Sequence, residues 1–219
     1  MKRSCHSNLW AILATFGGLW LTASSTNGQE APPQGAFRFV NASAIAGKTL
    51  VTIDNAKLRP DGFGPGENTG IIGILAGTHR FSIDHPTAGK AETNVIVQPN
   101  TFTTVVAYAK PAVDPTTKKS TEVVQLLARP DPPRGKGKQF QVLSVSSRPT
   151  LTVTINGQSV TLGSLRELKA DDLAKGSIKI EYAGKSVIDF AAQEPGSFLT
   201  VVFDRPDGTL GGVLVPDYG

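Results

Sequence analysis

"TLTVTIN" (150–156) in the second half of the chain answers to "TLVTIDN" (49–55) in the first. Leu151, Val153 and Ile155 alternate with Thr152 and Thr154, the period of two of a strand with one buried face. Thr, Val and Ile favour strands anyway, so this pair alone proves little. Three further blocks recur around it in the same order. "FRFVNAS" (37–43) answers to "FQVLSVS" (140–146), and "LAGTHRFSI" (75–83) to "LAKGSIKIEY" (173–182). "PNTFTTVVAY" (99–108) lies against "PGSFLTVVFD" (195–204), matching Phe102 with Phe198, Thr104 with Thr200 and Val105 with Val201. Collinear recurrence at similar separations indicates an internal duplication.

Each copy reads as β throughout. Turn signals separate the runs: "RPDGFGPGEN" (59–68), "QPN" (98–100), "NG" (156–157), "AGK" (183–185) and "RPDG" (205–208). Gly and Asn accept the positive φ such turns need, and Pro fixes the entry. About seven strands per copy fit a small antiparallel sandwich. The expected fold is therefore all-β: two tandem small, immunoglobulin-like antiparallel β-sandwiches, 35–128 and 139–219. Only "SLRELKADDLAK" (164–175) suggests a helix, with Leu165, Leu168 and Leu173 roughly on one face. It predicts a short crossover helix or turn. Between the copies, "RPDPPRGKGK" (129–138) combines Pro, Gly and charge, the composition of a solvated linker.

The N-terminus has the form of a secretory signal over residues 1–28. Lys2 and Arg3 precede an uncharged apolar stretch, Leu9 to Ala23, too short and too Gly-broken for a firm membrane span. Cleavage is expected after Ser25 or Gly28, with a retained N-terminal anchor as the rival. Cys5 precedes the apolar stretch, which argues against a lipoprotein. Without the signal the chain loses its Cys and both tryptophans, Trp10 and Trp20. It keeps 20 of its 22 Lys+Arg and all 18 Asp+Glu, so its net charge is +2 rather than +4. A nucleic-acid role loses its electrostatic support. An exported chain without cysteine needs an apolar core instead of disulfides.

The first copy resembles a bacterial secreted family catalogued as domain of unknown function 4397, and the second resembles it more faintly. The matching positions are an opening strand, Arg38-Phe39-Val40-Asn41-Ala42-Ser43, and a strand with its turn, Val51-Thr52-Ile53-Asp54-Asn55. Leu75-Ala76-Gly77-Thr78-His79 and Phe102-Thr103-Thr104-Val105-Val106-Ala107 complete the set. The Ser-Pro-Asp-Ala-Pro segment usual in the family is replaced by Ser43-Ala44-Ile45-Ala46-Gly47. The resemblance implies a sandwich outside the cytoplasm and carries no catalytic residue.

Few residues point to chemistry. "ASAIAGKT" (42–49) mimics a phosphate-binding loop, but such a loop needs a helix N-terminus next, and "LVTID" reads as a strand. His79, Asp84 and His85 suit Zn²⁺ or Cu²⁺ by type. Along a strand, however, His79, Phe81, Ile83 and His85 share one face while Asp84 takes the other. Ile178 stands in the second copy where His79 stands in the first, so both histidines read first as packing or turn residues. Calcium at "DRPDG" (204–208) or "RPDGFGPGE" (59–67) is no more than turn composition. Asp171-Asp172 reads as a turn or helix start, and the Asn41-Ala42-Ser43 sequon lies in a strand pattern. No Gly-x-Ser-x-Gly elbow and no His-Glu-x-x-His occurs in the sequence.

The expectation is a non-enzymatic module, secreted, periplasmic or at the cell surface, without cofactor or catalytic residues. Its partner would be an envelope or matrix protein or polysaccharide, met in assembly or adhesion, and not nucleic acid. The alternative is a carbohydrate-active enzyme or a metal protein using His79 and His85.

Overall fold

A computed structural model of the chain describes residues 31–113, 115–116, 118–131 and 137–217. The signal expected over 1–28 and the centre of the expected linker, 132–136, lie outside the described residues. Residues from Pro32 onward form one compact unit.

The first half has eight strands: β1 (Gln34–Ala42), β2 (Leu50–Ile53), β3 (Ala56–Lys57), β4 (Ile72–Leu75), β5 (Gly77–His85), β6 (Gly89–Val97), β7 (Phe102–Val113) and β8 (Ser120–Pro130). The second half repeats them: β9 (Lys138–Ser144), β10 (Thr150–Ile155), β11 (Gln158–Gly163), β12 (Arg166–Lys169), β13 (Ser177–Tyr182), β14 (Lys185–Ala191), β15 (Gly196–Asp204) and β16 (Leu210–Asp217). Their pairing repeats as well. Sheets ordered β4-β1-β7-β8 and β3-β2-β5-β6 in the first half correspond to β12-β9-β15-β16 and β11-β10-β13-β14 in the second. The chain is thus two small β-sandwiches of one topology. One feature departs from the antiparallel expectation: β1 runs parallel to β7, and β9 parallel to β15. The helix expected over 164–175 shrinks to one turn, α1 (Asp171–Ala174), because Arg166–Lys169 instead pair with β9.

Hairpin turns fix how the copies superimpose. Ile53 pairs with Ala56 across Asp54-Asn55, and Ile155 with Gln158 across Asn156-Gly157. All four turn residues have positive φ (48°, 70°, 47° and 83°), the two-residue turn whose twist matches the strands. Asp54 Oδ1 accepts the Arg80 N–H at 2.9 Å, as Asn156 Oδ1 accepts that of Lys179 at 2.7 Å. Ile53 therefore corresponds to Ile155, one residue off the match of letters between the opening stretches. The last block slips in the same way. Phe37 pairs with Thr103 and Phe140 with Phe198, so Phe198 answers to Thr103, and Val201 to Val106. In a strand one residue is one face, so this register decides what each side chain packs against.

Among the described residues there are three cores. Phe37, Phe39, Phe81, Ile83, Val95 and Val105 fill the first sandwich. Phe140, Val142, Ile155, Ile178, Phe198 and Val202 fill the second, with Phe140 and Phe198 stacked at 5.0 Å. The third lies between the sandwiches and takes the alternate residues of the inner sheets. Val40, Ala42, Val106, Tyr108 and Leu127 meet Leu143, Val145, Val201, Phe203 and Val213. By the turn-anchored register these are the same five positions in both copies. One face of the duplicated sandwich thus packs on itself, the arrangement of an isologous dimer within one chain.

Buried polar residues bind this junction at its edge. Arg38, only 3% exposed, donates to Thr104 Oγ1 (2.8 Å), Asp131 Oδ2 (2.7 Å) and the Pro216 carbonyl (3.2 Å). Arg129 donates to Asp131 Oδ1, to Gln141 Oε1 and to both carboxylate oxygens of Glu167 at 2.7–2.9 Å. Arg129, expected at the head of a solvated linker, instead lies near the end of β8 and clamps the halves together.

Candidate functional site

The two histidines singled out in the sequence occupy opposite ends of β5. His79 Nδ1 meets Asp54 Oδ2 at 2.6 Å, and its Nε2 meets the Leu75 carbonyl at 2.8 Å. With acceptors on both nitrogens the ring is satisfied as imidazolium. Burial opposes that charge, but the bonds to Asp54 and Leu75 outweigh it and raise the pKa above the usual histidine value. The His79 bond in turn holds the Asp54 carboxyl below its usual value. His85 is buried, and its Nδ1 accepts the backbone N–H groups of Thr87 and Ala88. Burial lowers its pKa against the opposing pull of the Ala46 backbone and Asp84. Asp84 pairs with Lys90. Among the described residues no group of three or more His, Cys, Asp and Glu could hold a metal.

The raised His79 pKa gives a signed prediction. A base whose folded pKa exceeds its unfolded value of about 6.5 stabilises fully below that value and loses the contribution as pH rises through the folded pKa. The melting temperature of wild type minus that of His79→Gln should therefore be positive at pH 5.5 and shrink toward zero at pH 9. His85 is common to both proteins and its opposite slope cancels. A difference that stays constant with pH would rule out the His79–Asp54 pair as an ionic contact.

The remaining sequence candidates resolve into structural roles. Gly47-Lys48-Thr49 leads into strand β2, so no helix N-terminus receives a phosphate. Asn41 is fully buried, its amide donating to the Phe63 carbonyl at 2.7 Å. Asp171 Oδ1 accepts the Phe140 N–H, and Glu67 pairs with Arg59. Asp204 turns inward: its Oδ2 accepts from Ser146 Oγ, Ser147 N and Ser147 Oγ (2.8–3.1 Å), and its Oδ1 faces Arg148 Nε at 3.2 Å.

That Asp204–Arg148 pair supports a pocket which the sequence did not disclose. It lies at one end of the second sandwich, between the β13–β14 and β15–β16 turns, with a volume of about 370 Å³. Val187 and Leu210 form its apolar side, and Tyr182, Lys185, Ser186, Arg205, Asp207 and Thr209 complete it. Ala183-Gly184 turn with φ of 48° and 74°, which carries Lys185 and Ser186 to the mouth. On the opposite hairpin Arg205 N donates to the Thr209 carbonyl (2.7 Å), and Asp207 Oδ1 accepts Thr209 N and Oγ1 (2.9 and 2.6 Å). These bonds hold Asp207 below the usual carboxylate range. Arg148 joins the hairpins from outside: Nη2 donates to the Gly208 carbonyl at 3.0 Å, and the guanidinium lies 5.0 Å from the centre of the Tyr182 ring.

The corresponding end of the first half is built differently. Ala109 pairs with Val124 as Asp204 pairs with Leu210. Lys110–Val113 and Ser120–Val123 therefore extend that hairpin where the second copy has the short connection 205–209. Among the described residues no helix is long and apolar enough to cross a membrane. No protein-family model matches the chain, and no curated protein matches it.

Proposed function

We propose that the chain is a non-enzymatic binding or structural module of the cell envelope or extracellular space. In this reading its two sandwiches act as one body and a partner macromolecule meets a loop end of it. The observation that carries the reading is the self-packed apolar junction with its Arg38–Asp131–Arg129 clamp, which joins the copies across strands far apart in sequence. Satisfied buried polar networks rigidify what they join, and loops on a rigid scaffold make an effective recognition surface. Export through the N-terminal signal, and kinship with family 4397 through the strand and turn motifs, belong to the same proposal.

The test is capture. The tagged protein without residues 1–28 is exposed to envelope extract and culture fluid of its source organism, and bound proteins and sugars are both identified. Reproducible enrichment of one macromolecule is the expected result. Failure to enrich any would overturn the module reading.

A further inference from the structure

Resting on that reading, we infer that the pocket between the β13–β14 and β15–β16 turns binds an acidic sugar: a pyranose ring bearing a carboxylate, of the uronic-acid type. Three features converge on this chemistry.

The first is charge. The Arg148 guanidinium is paired with Asp204 through Nε and donates through Nη2 to the Gly208 carbonyl. Lys185 and Arg205, on opposite hairpins, then stand against the single carboxylate of Asp207, leaving the mouth with one net positive charge. Both cations are exposed, so a ligand reaches them without moving the fold. The Arg205 side chain lies over Gly211, where an added Cβ would come within 2.9 Å of its Nε. The guanidinium stem is thus supported rather than free-swinging, and a planar guanidinium suits a carboxylate.

The second feature is the pairing of apolar and hydroxyl groups. Half-buried Val187, backed by the core residue Leu210, offers an apolar surface for the C–H face of a ring, while Ser186, Thr209 and Asp207 offer hydrogen-bond groups around it. Asp207 is acceptor-only when ionised, and Thr209 already fixes it in place. It suits a sugar hydroxyl and repels a second carboxylate on the same ring. A bare small anion would use the cations and leave the apolar side wet.

The third is size and preformation. About 370 Å³ falls within the range of small-molecule sites, about 300–1,000 Å³. Both walls are hairpin turns closed by their own backbone bonds, so binding costs little ordering.

The test is calorimetric titration at low ionic strength, where exposed charges are least screened. Oligogalacturonate and oligoglucuronate are titrated into the full-length protein, with the corresponding monomeric uronates, neutral galactose oligosaccharides and sodium acetate in parallel. Tighter binding of oligomer than monomer identifies a polymer segment as the source, and equal binding identifies the free sugar acid. Either supports the inference. Lys185→Gln with Arg205→Gln should weaken uronide binding at least about tenfold, whereas Lys90→Gln, in the other sandwich, should leave it unchanged. Both are exposed substitutions that leave the cores intact, and melting curves verify folding. No uronide binding, equal binding of the neutral oligosaccharides or of acetate, or indifference to the double substitution would each overturn it. If the double variant binds uronide as the wild type does while partner capture persists, the module reading stands and the pocket assignment falls. If no partner is captured but uronide binding depends on Lys185 and Arg205, the pocket stands and the module reading falls.

Discussion

Replacing Arg38 by methionine lowers the unfolding free energy by about 3 kcal/mol, the low end of the cost of breaking a buried ion pair from one side. Its side chain and that of Asp131 are 3% and 6% exposed, so water cannot restore what the substitution removes. Burial pushes the Arg38 pKa down, and the charges of Asp131 and Asp217 push it back up. The guanidinium is thus held in its charged form by partners on both copies. Methionine leaves Asp131 Oδ2, Thr104 Oγ1 and the Pro216 carbonyl each short of a donor. The loss stays at the low end because Arg129 and Thr104 still donate to Asp131 Oδ1 at 2.9 and 2.7 Å. For a unit of this size the melting temperature falls by roughly 6–12 °C. Urea unfolding of Arg38→Met and of the Arg38→Met/Asp131→Leu pair checks this. The double variant should lose less than the sum of its singles, since removing both partners leaves no buried charge unpaired. A single-variant loss below about 1 kcal/mol, the value of an exposed pair, would show that the clamp contributes little.

The outer sheets were legible because their strands face the core on one side only. "TLTVTIN" alternates, and Leu151, Val153 and Ile155 are buried while Thr150 and Thr152 are exposed. The inner strands carried a signal of another kind. β1 and β15 are buried along almost their whole length and β7 from Thr103 to Ala109, on both faces, and "TVVAYA" and "FLTVVF" are the near-continuous apolar runs expected of strands covered twice. Those runs mark the junction between the sandwiches, which periodicity read for one copy at a time does not reveal. The one-residue slip has the same origin: where both faces are apolar, letters such as Thr-Val-Val match equally well in either register. Arg38 was hidden by its neighbours, since Phe37-Arg38-Phe39 has the alternation of a half-exposed strand. The pocket was hidden because its residues lie in and beside two turn signals, "AGK" and "RPDG", whose Gly, Pro and Asp are what turns use anyway, and its parts lie about 20 residues apart along the chain, Lys185 to Arg205.

Residues 137–217 produced alone should fold as a β protein and elute as a homodimer. The reason is the self-packed junction. In the full chain Leu143, Leu199, Val201, Phe203, Val213 and Val215 are at most 6% exposed against the first copy, and isolation uncovers all six on the face of β9, β15 and β16. Each large apolar side chain gains about 1.5–3 kcal/mol on burial. Two such faces together offset the cost of association, about 4–15 kcal/mol. The face already fits a copy of itself, since Val40, Ala42, Val106, Tyr108 and Leu127 hold the same positions on the other side. Polar support is weaker, because Gln141 stands in this copy where Arg38 stands in the first, so the dimer lacks the buried ion pair. Val201→Lys places an unpaired charge at the centre of the face. It should turn the isolated half into a monomer, and in the full chain it should lower stability by several kcal/mol. Light scattering coupled to size exclusion, with circular dichroism on the same fractions, reads both properties. A monomeric wild-type half at tens of micromolar would show that the face matches only its partner copy. A disordered product would show that the second sandwich depends on the first, and that the duplication now makes a single folding unit.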